Sequence, residues 1–191
     1  MSGSRRNFIK TGALTLAGTA MFSSELFAAK KSKEVLGIQL YSVRDDMMKD
    51  PMGTLQKLAD MGYTYVEHAN YVDRKFYKRT APEFKKILDD MGLKMRSGHT
   101  VMSSKHWDEG KNDFTDEWKY TVYDASVIGQ KYVISPWLDI KYRKTAGELK
   151  RYMEVFNKSG ELCRKAGMKF GYHNHDFEFS EKLNDEKVFD I

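Results

Sequence analysis

The sequence predicts an α/β fold, a (β/α)8 barrel truncated after about five strands, and three observations carry that expectation. From Val35 onward one unit repeats: a short apolar run, a polar loop, an amphipathic segment, and a glycine before the next apolar run. The stop glycines Gly62, Gly92, Gly129 and Gly167 lie 30, 37 and 38 residues apart, the length of a βα unit with a generous loop. Such alternation builds a parallel sheet with helices packed outside it. The third observation separates a closed barrel from an open doubly wound sheet. An open sheet concentrates its chemistry at one topological switch point, whereas a barrel draws on the C-terminal end of strand after strand. Here polar residues close every strand in turn, and no G-x-G-x-x-G phosphate loop follows any of them.

Residues 1–29 stand apart from this pattern. Ser4, Arg5, Arg6, Asn7, Phe8, Ile9 and Lys10 precede an uncharged stretch from Thr11 to Ser24. A basic end, a paired arginine and a modest apolar run together resemble a twin-arginine signal peptide. Glycines and threonines make the run too weakly apolar for a comfortable span of about 20 residues. Small residues Ala28 and Ala29 offer a cleavage point. The expectation is an exported, periplasmic protein with no stable membrane span after cleavage, its barrel domain covering 30–191.

Within that domain the first apolar run is Val35 to Leu40, and Asp50 with Pro51 reads as the cap and first residue of a helix, since proline's missing N–H is not needed there. Its inner face is Met52, Leu55, Leu58 and Ala59. Gly62 stops it, and Tyr63 to Glu67 is the second strand. A helix with Phe84, Ile87, Leu88 and Met91 inward stops at Gly92, and Leu93 to Ser97 follows as the third. Trp118, Val122 and Ala125 mark the next helix, which leads through Gly129 to Tyr132–Ser135. Leu149, Met153, Phe156 and Cys163 mark the last, which leads through Gly167 to a fifth strand over Met168–His173.

Composition narrows the function classes. Of 191 residues 31% are charged, 41% hydrophobic and 13% aromatic, which excludes disorder, collagen and a membrane bundle. The net charge is +5, of which residues 1–29 carry +2, leaving +3 that is not gathered into any run. Phosphate neutralisation wants a basic groove, so no nucleic-acid partner is expected. Cys163 is the single cysteine and has no intramolecular disulfide partner.

The strand ends supply the candidate chemistry. Gln39 closes the first strand and Glu67 with His68 the second, although a histidine or glutamate beside a strand is often only a hydrogen-bonded structural group. His99 sits in a glycine-containing turn, Ser97-Gly98-His99-Thr100, where packing does not need its ring. Trp107 and Trp137 can stack on the CH face of a sugar or serve as lids over the core. The fifth strand runs into Tyr172, His173, Asn174, His175, Asp176, Phe177 and Glu178. Residues two apart on an extended chain point to the same side, and the imidazoles of His173 and His175 suit borderline divalent metals.

Taken together, Gly37-Ile38-Gln39-Leu40-Tyr41-Ser42-Val43-Arg44-Asp45, the Gly62–Glu67 segment, Ser97-Gly98-His99 and Tyr172-His173-Asn174-His175 resemble the sugar phosphate isomerase/epimerase family of xylose isomerase-like TIM barrels. The likeness runs from about Val35 to the last residue. It implies a divalent metal (Mn, Zn, Co or Mg) at the C-terminal mouth of the barrel, held by acidic and histidine side chains of the later strands. The family's fifth-strand ligand is usually a glutamate followed by Asn-His, and here His173 occupies that place, which makes it the expected metal ligand. The resemblance further implies a small sugar or sugar phosphate as partner. Proton transfer next to its carbonyl falls to Glu67 and His99, with Gln39, His68, Trp107, Trp137 and His175 binding the substrate. A lyase or hydrolase acting on keto-glycosides, or a carbohydrate-binding protein without catalysis, are the alternatives. Because the family has eight strands, the chain is expected to be an N-terminal segment of the enzyme, with the ligands of strands six to eight beyond it.

Overall fold

Each of the four stop glycines adopts a left-handed backbone, with φ of +93° at Gly62, +72° at Gly92, +96° at Gly129 and +75° at Gly167. Nothing lies within 4 Å of where their Cβ atoms would stand, so conformation rather than crowding selects glycine. The computed structural model describes residues 36–191, and the leader assigned to residues 1–29 lies outside the described residues. A strand begins within three residues of each glycine: β2 (Tyr65–His68), β3 (Lys94–His99), β4 (Tyr132–Ser135) and β5 (Lys169–Tyr172), preceded by β1 (Gly37–Gln39). All neighbours are parallel and their order in the sheet is their order in the chain. A doubly wound sheet would reverse its order at a switch point, so this is five consecutive strands of a (β/α) barrel. The expected strands agree with the observed ones to within three residues at either end.

The helices are α1 (Arg44–Lys49), α2 (Pro51–Asp60), α3 (Ala81–Asp90), α4 (Asp116–Ile128), α5 (Ala146–Lys165) and the single turn α6 (Phe177–Ser180). Asp50 caps α2 as expected, its Oδ1 accepting the Gly53 N–H at 2.9 Å, and Thr145 with Glu148 closes a capping box on α5. Sequence reading missed α1, α6 and three short hairpins, Tyr71–Val72 with Lys75–Phe76, Trp107–Asp108 with Asp113–Phe114, and Lys182–Leu183 with Glu186–Lys187. The first and third turn on Asp73-Arg74 and Asn184-Asp185, all at φ between 50° and 65°, so no glycine marks them in the sequence.

Side chains on the helix side of the sheet form the core. Leu40, Leu55, Val66, Phe84, Leu88 and Met95 pack under β1 to β3. Trp118, Val133, Phe156, Cys163 and Met168 pack under β4 and β5. Each large apolar side chain so buried contributes about 1.5–3 kcal/mol. Trp118 is fully buried and donates its indole N–H to Ser159 Oγ at 3.0 Å.

Candidate active site

Alternation along β2 sends Val66 and His68 into the helix layer and Glu67 to the opposite face. A register shift between Val66 and Glu67 then brings Glu67 beside Ser97 and His68 beside Gly98 on β3. Ser97 Oγ donates to Glu67 Oε2, and His99 Nε2 lies 3.0 Å from Oε1. Burial works to raise the Glu67 carboxyl, but hydrogen bonds from His99 and Ser97 lead the effects that outweigh it and hold it below the ordinary carboxylate value. A carboxylate only accepts, so His99 presents a proton to Glu67 on Nε2, and in the neutral ring Nδ1 is the acceptor.

The row continues along the strand ends. The His173 N–H donates to the Ser135 carbonyl at 3.0 Å, carrying the β5 ladder one residue past its end. The His173 ring centre is 5.0 Å from that of His99 and 5.0 Å from that of His175. Trp137 meets His175 edge-on at 5.9 Å. Partial burial, then the neighbouring His99 and His175, push His173 below its ordinary value. Gln39 stands in register with Glu67. Its Oε1 accepts from the Tyr41 N–H, while its buried Nε2 has no partner among the described residues, the condition of a donor that binds a ligand or water.

Two of the expected substrate contacts are placed elsewhere. His68 is 1% exposed, packs edge-on against Phe76 at 4.8 Å, and lies across the sheet from Glu67; alternation on the strand, not chemistry, puts it there. Burial drives its imidazole down to about 3, so it is neutral. Trp107 is in a hairpin, edge-on to Phe114 at 5.0 Å with Lys158 Nζ 4.7 Å from its ring centre, and it does not join the row.

One residue of the site had no role in the sequence reading. Glu178 is 2% exposed, accepts the His175 N–H at 2.7 Å on one oxygen and the Tyr172 hydroxyl on the other, and so fixes the segment that carries both histidines. Its signal was an acid between Phe177 and Phe179, because an acid buried among aromatic rings requires donors. Arg143 completes this support, its guanidinium 3.7 Å from the Phe177 ring centre and paired with Glu181.

Among the described residues no group of three or more His, Cys, Asp and Glu side chains is disposed to hold a metal ion. His173, the expected ligand, has two imidazoles for neighbours, those of His99 and His175, each at 5.0 Å between ring centres. The described residues by themselves therefore do not complete the ligand set of a divalent ion.

A family model described as xylose isomerase-like TIM barrel matches residues 55–187. A sugar phosphate isomerase/epimerase from Parabacteroides distasonis ATCC 8503 is 28% identical over 81% of this chain and 62% of its own, with a TM-score of 0.68. A second sugar phosphate isomerase/epimerase structure from that organism is 27% identical over 81% and 56%, with a TM-score of 0.67. D-psicose 3-epimerase, crystallised in the presence of D-fructose, shares the fold at 16% identity over 74% and 54%, with a TM-score of 0.51. No protein of curated function matches the chain. The chain spans less than two thirds of the length of each of these structures.

Proposed function

The chain belongs to the xylose isomerase-like TIM barrel family, and on that premise we propose that it serves a sugar isomerase or epimerase, moving a proton at the carbon next to a carbonyl. The observation that carries this reading is the Glu67–His99 pair, 3.0 Å apart on the face of the sheet away from the helices. Glu67 is a carboxylate already engaged by Ser97 Oγ and His99 Nε2. Its role is to fix the His99 tautomer and to stabilise the imidazolium. His99 Nδ1 takes the proton from carbon, and the electron pair moves to the carbonyl oxygen. The imidazolium returns the proton either to the same carbon, which epimerises it, or to the neighbouring carbon while the first carbon's hydroxyl proton passes to the former carbonyl oxygen, which isomerises the sugar. The unpartnered amide of Gln39 supplies a donor on the same face for a substrate oxygen. His175 and Trp137 bound the site on its other side. The resemblance of residues 4–24 to a twin-arginine leader supports export to the periplasm.

The test is solvent-deuterium exchange into D-fructose, read by mass spectrometry. His99→Gln is expected to lower the exchange rate about 10²-fold or more, and Glu67→Gln to lower it less while shifting the pH profile. Exchange that persists undiminished in His99→Gln overturns the assignment.

A further inference from the structure

A cleft of about 910 Å³ opens outward from His99, between the Tyr71–Phe76 hairpin that follows β2 and the loop that follows β3, with α4 along it. That volume falls in the range of about 300–1,000 Å³ that houses drug-sized molecules, more than one sugar ring fills. Two cations line it, and both are already neutralised. Arg74 makes a two-point contact with Asp124, at 3.0 Å and 2.8 Å, and Lys105 Nζ is 2.6 Å from Glu117. The cleft thus offers a phosphate no uncommitted arginine or lysine. What it does offer is apolar surface together with amide, hydroxyl and carboxylate groups, Asp73 among the last. Tyr120 is 46% exposed, Val101 41% and Val72 59%, and Asn70 is exposed beside them with both a donor and an acceptor. Aromatic and aliphatic walls interspersed with the amide of Asn70 and the hydroxyls of Thr100, Ser103 and Thr121 suit the CH face and hydroxyls of a neutral sugar ring. The hairpin wall is also held in place. Tyr71 donates its hydroxyl to Asp124 at 2.7 Å, and the Arg74 guanidinium lies 4.1 Å from the Tyr120 ring centre. A wall already ordered in the free protein lowers the entropy cost of binding.

We propose that this cleft holds a neutral glycosyl substituent, so that the ring presented to His99 is the ketose end of a disaccharide and not a sugar phosphate. The proposal rests on the isomerase or epimerase reading of the Glu67–His99 pair and adds the substrate class to it.

Calorimetric titration with lactulose, D-fructose and D-fructose 6-phosphate tests it, with deuterium exchange followed on the same samples. Lactulose is expected to bind about tenfold more tightly than fructose, a second ring adding buried apolar area, and fructose 6-phosphate no more tightly than fructose. Val101→Trp, which fills the cleft, and Tyr120→Ala, which empties its wall, are each expected to bring the lactulose-to-fructose ratio toward one. A tighter grip on fructose 6-phosphate, no binding of lactulose, or a lactulose advantage that survives both variants overturns the proposal. Preferential lactulose binding without deuterium exchange upholds the cleft and overturns the isomerase or epimerase reading instead.

Discussion

Glu67 and His68 are neighbours in the chain with opposite fates. Glu67 is ionised and hydrogen-bonded on one face of β2, and His68 is neutral and dry on the other. His68 has a consequence for stability. Its ordinary value is 6.5 and the folded protein lowers it to about 3, so between those two pH values the unfolded chain binds the extra proton and stability rises with pH. Acidification from about 6.5 toward 3 is therefore expected to destabilise the fold progressively. Glu67, also depressed, contributes stability that is present above its ordinary value of 4.5 and is lost as pH falls through its folded value. Melting temperatures measured across this range should fall on acidification, and His68→Leu should flatten the part of the slope above pH 4.5. An unchanged slope in that variant would assign the acid sensitivity to other groups.

At the scale of elements, β2 and β3 approach more closely than side chains on both would permit. A Cβ added to Gly98 would stand 1.9 Å from His68 Nε2 and 2.6 Å from Gln130 Nε2, both inside a filled core. Gly98→Ala is expected to cost about 1–3 kcal/mol or more by overpacking, read as a lower denaturant midpoint. The cost should shrink when His68→Ala is present, because the two residues share one space; strictly additive effects would contradict the contact. The sequence reads Ser97-Gly98-His99 as a turn, whereas all three residues are paired in β3, and the reason for the glycine depends on a register shift against the neighbouring strand. The same limit explains the rest. Helix stops and the fourth strand were read from local signals, the αL glycines and the apolar run Tyr132–Ser135. The pairing of Glu67 with His99, across 32 positions of sequence, follows from strand order and alternation once the barrel is assumed. The first and third hairpins and the support by Glu178 were not read, because turns without glycine and a carboxylate satisfied by a tyrosine and a backbone N–H leave no periodic trace.

Over the whole molecule, the two faces of the sheet differ in how far they are satisfied. The helix side is filled by two core clusters, whereas Tyr132 on the opposite face is 45% exposed. Among the described residues β1 and β5 each pair on one side only. Strand edges with unpaired N–H and C=O groups are templates for association, and Phe179 and Phe189 add an exposed stacked pair, with ring centres 4.6 Å apart, in the segment after β5. Backbone pairing across an edge and burial of the open face act in the same direction, toward contact between copies. The chain of 191 residues is therefore expected to self-associate with rising concentration, measured as an increase in mass by sedimentation. The apparent melting temperature should rise in parallel, since association that favours the folded form stabilises it by mass action. Lysine placed on the open face, as Tyr132→Lys, should weaken the association by leaving a charge in the contact. A chain that sediments as a monomer at every concentration, with one fixed melting temperature, would mean that the exposed edges and face are covered within a single copy.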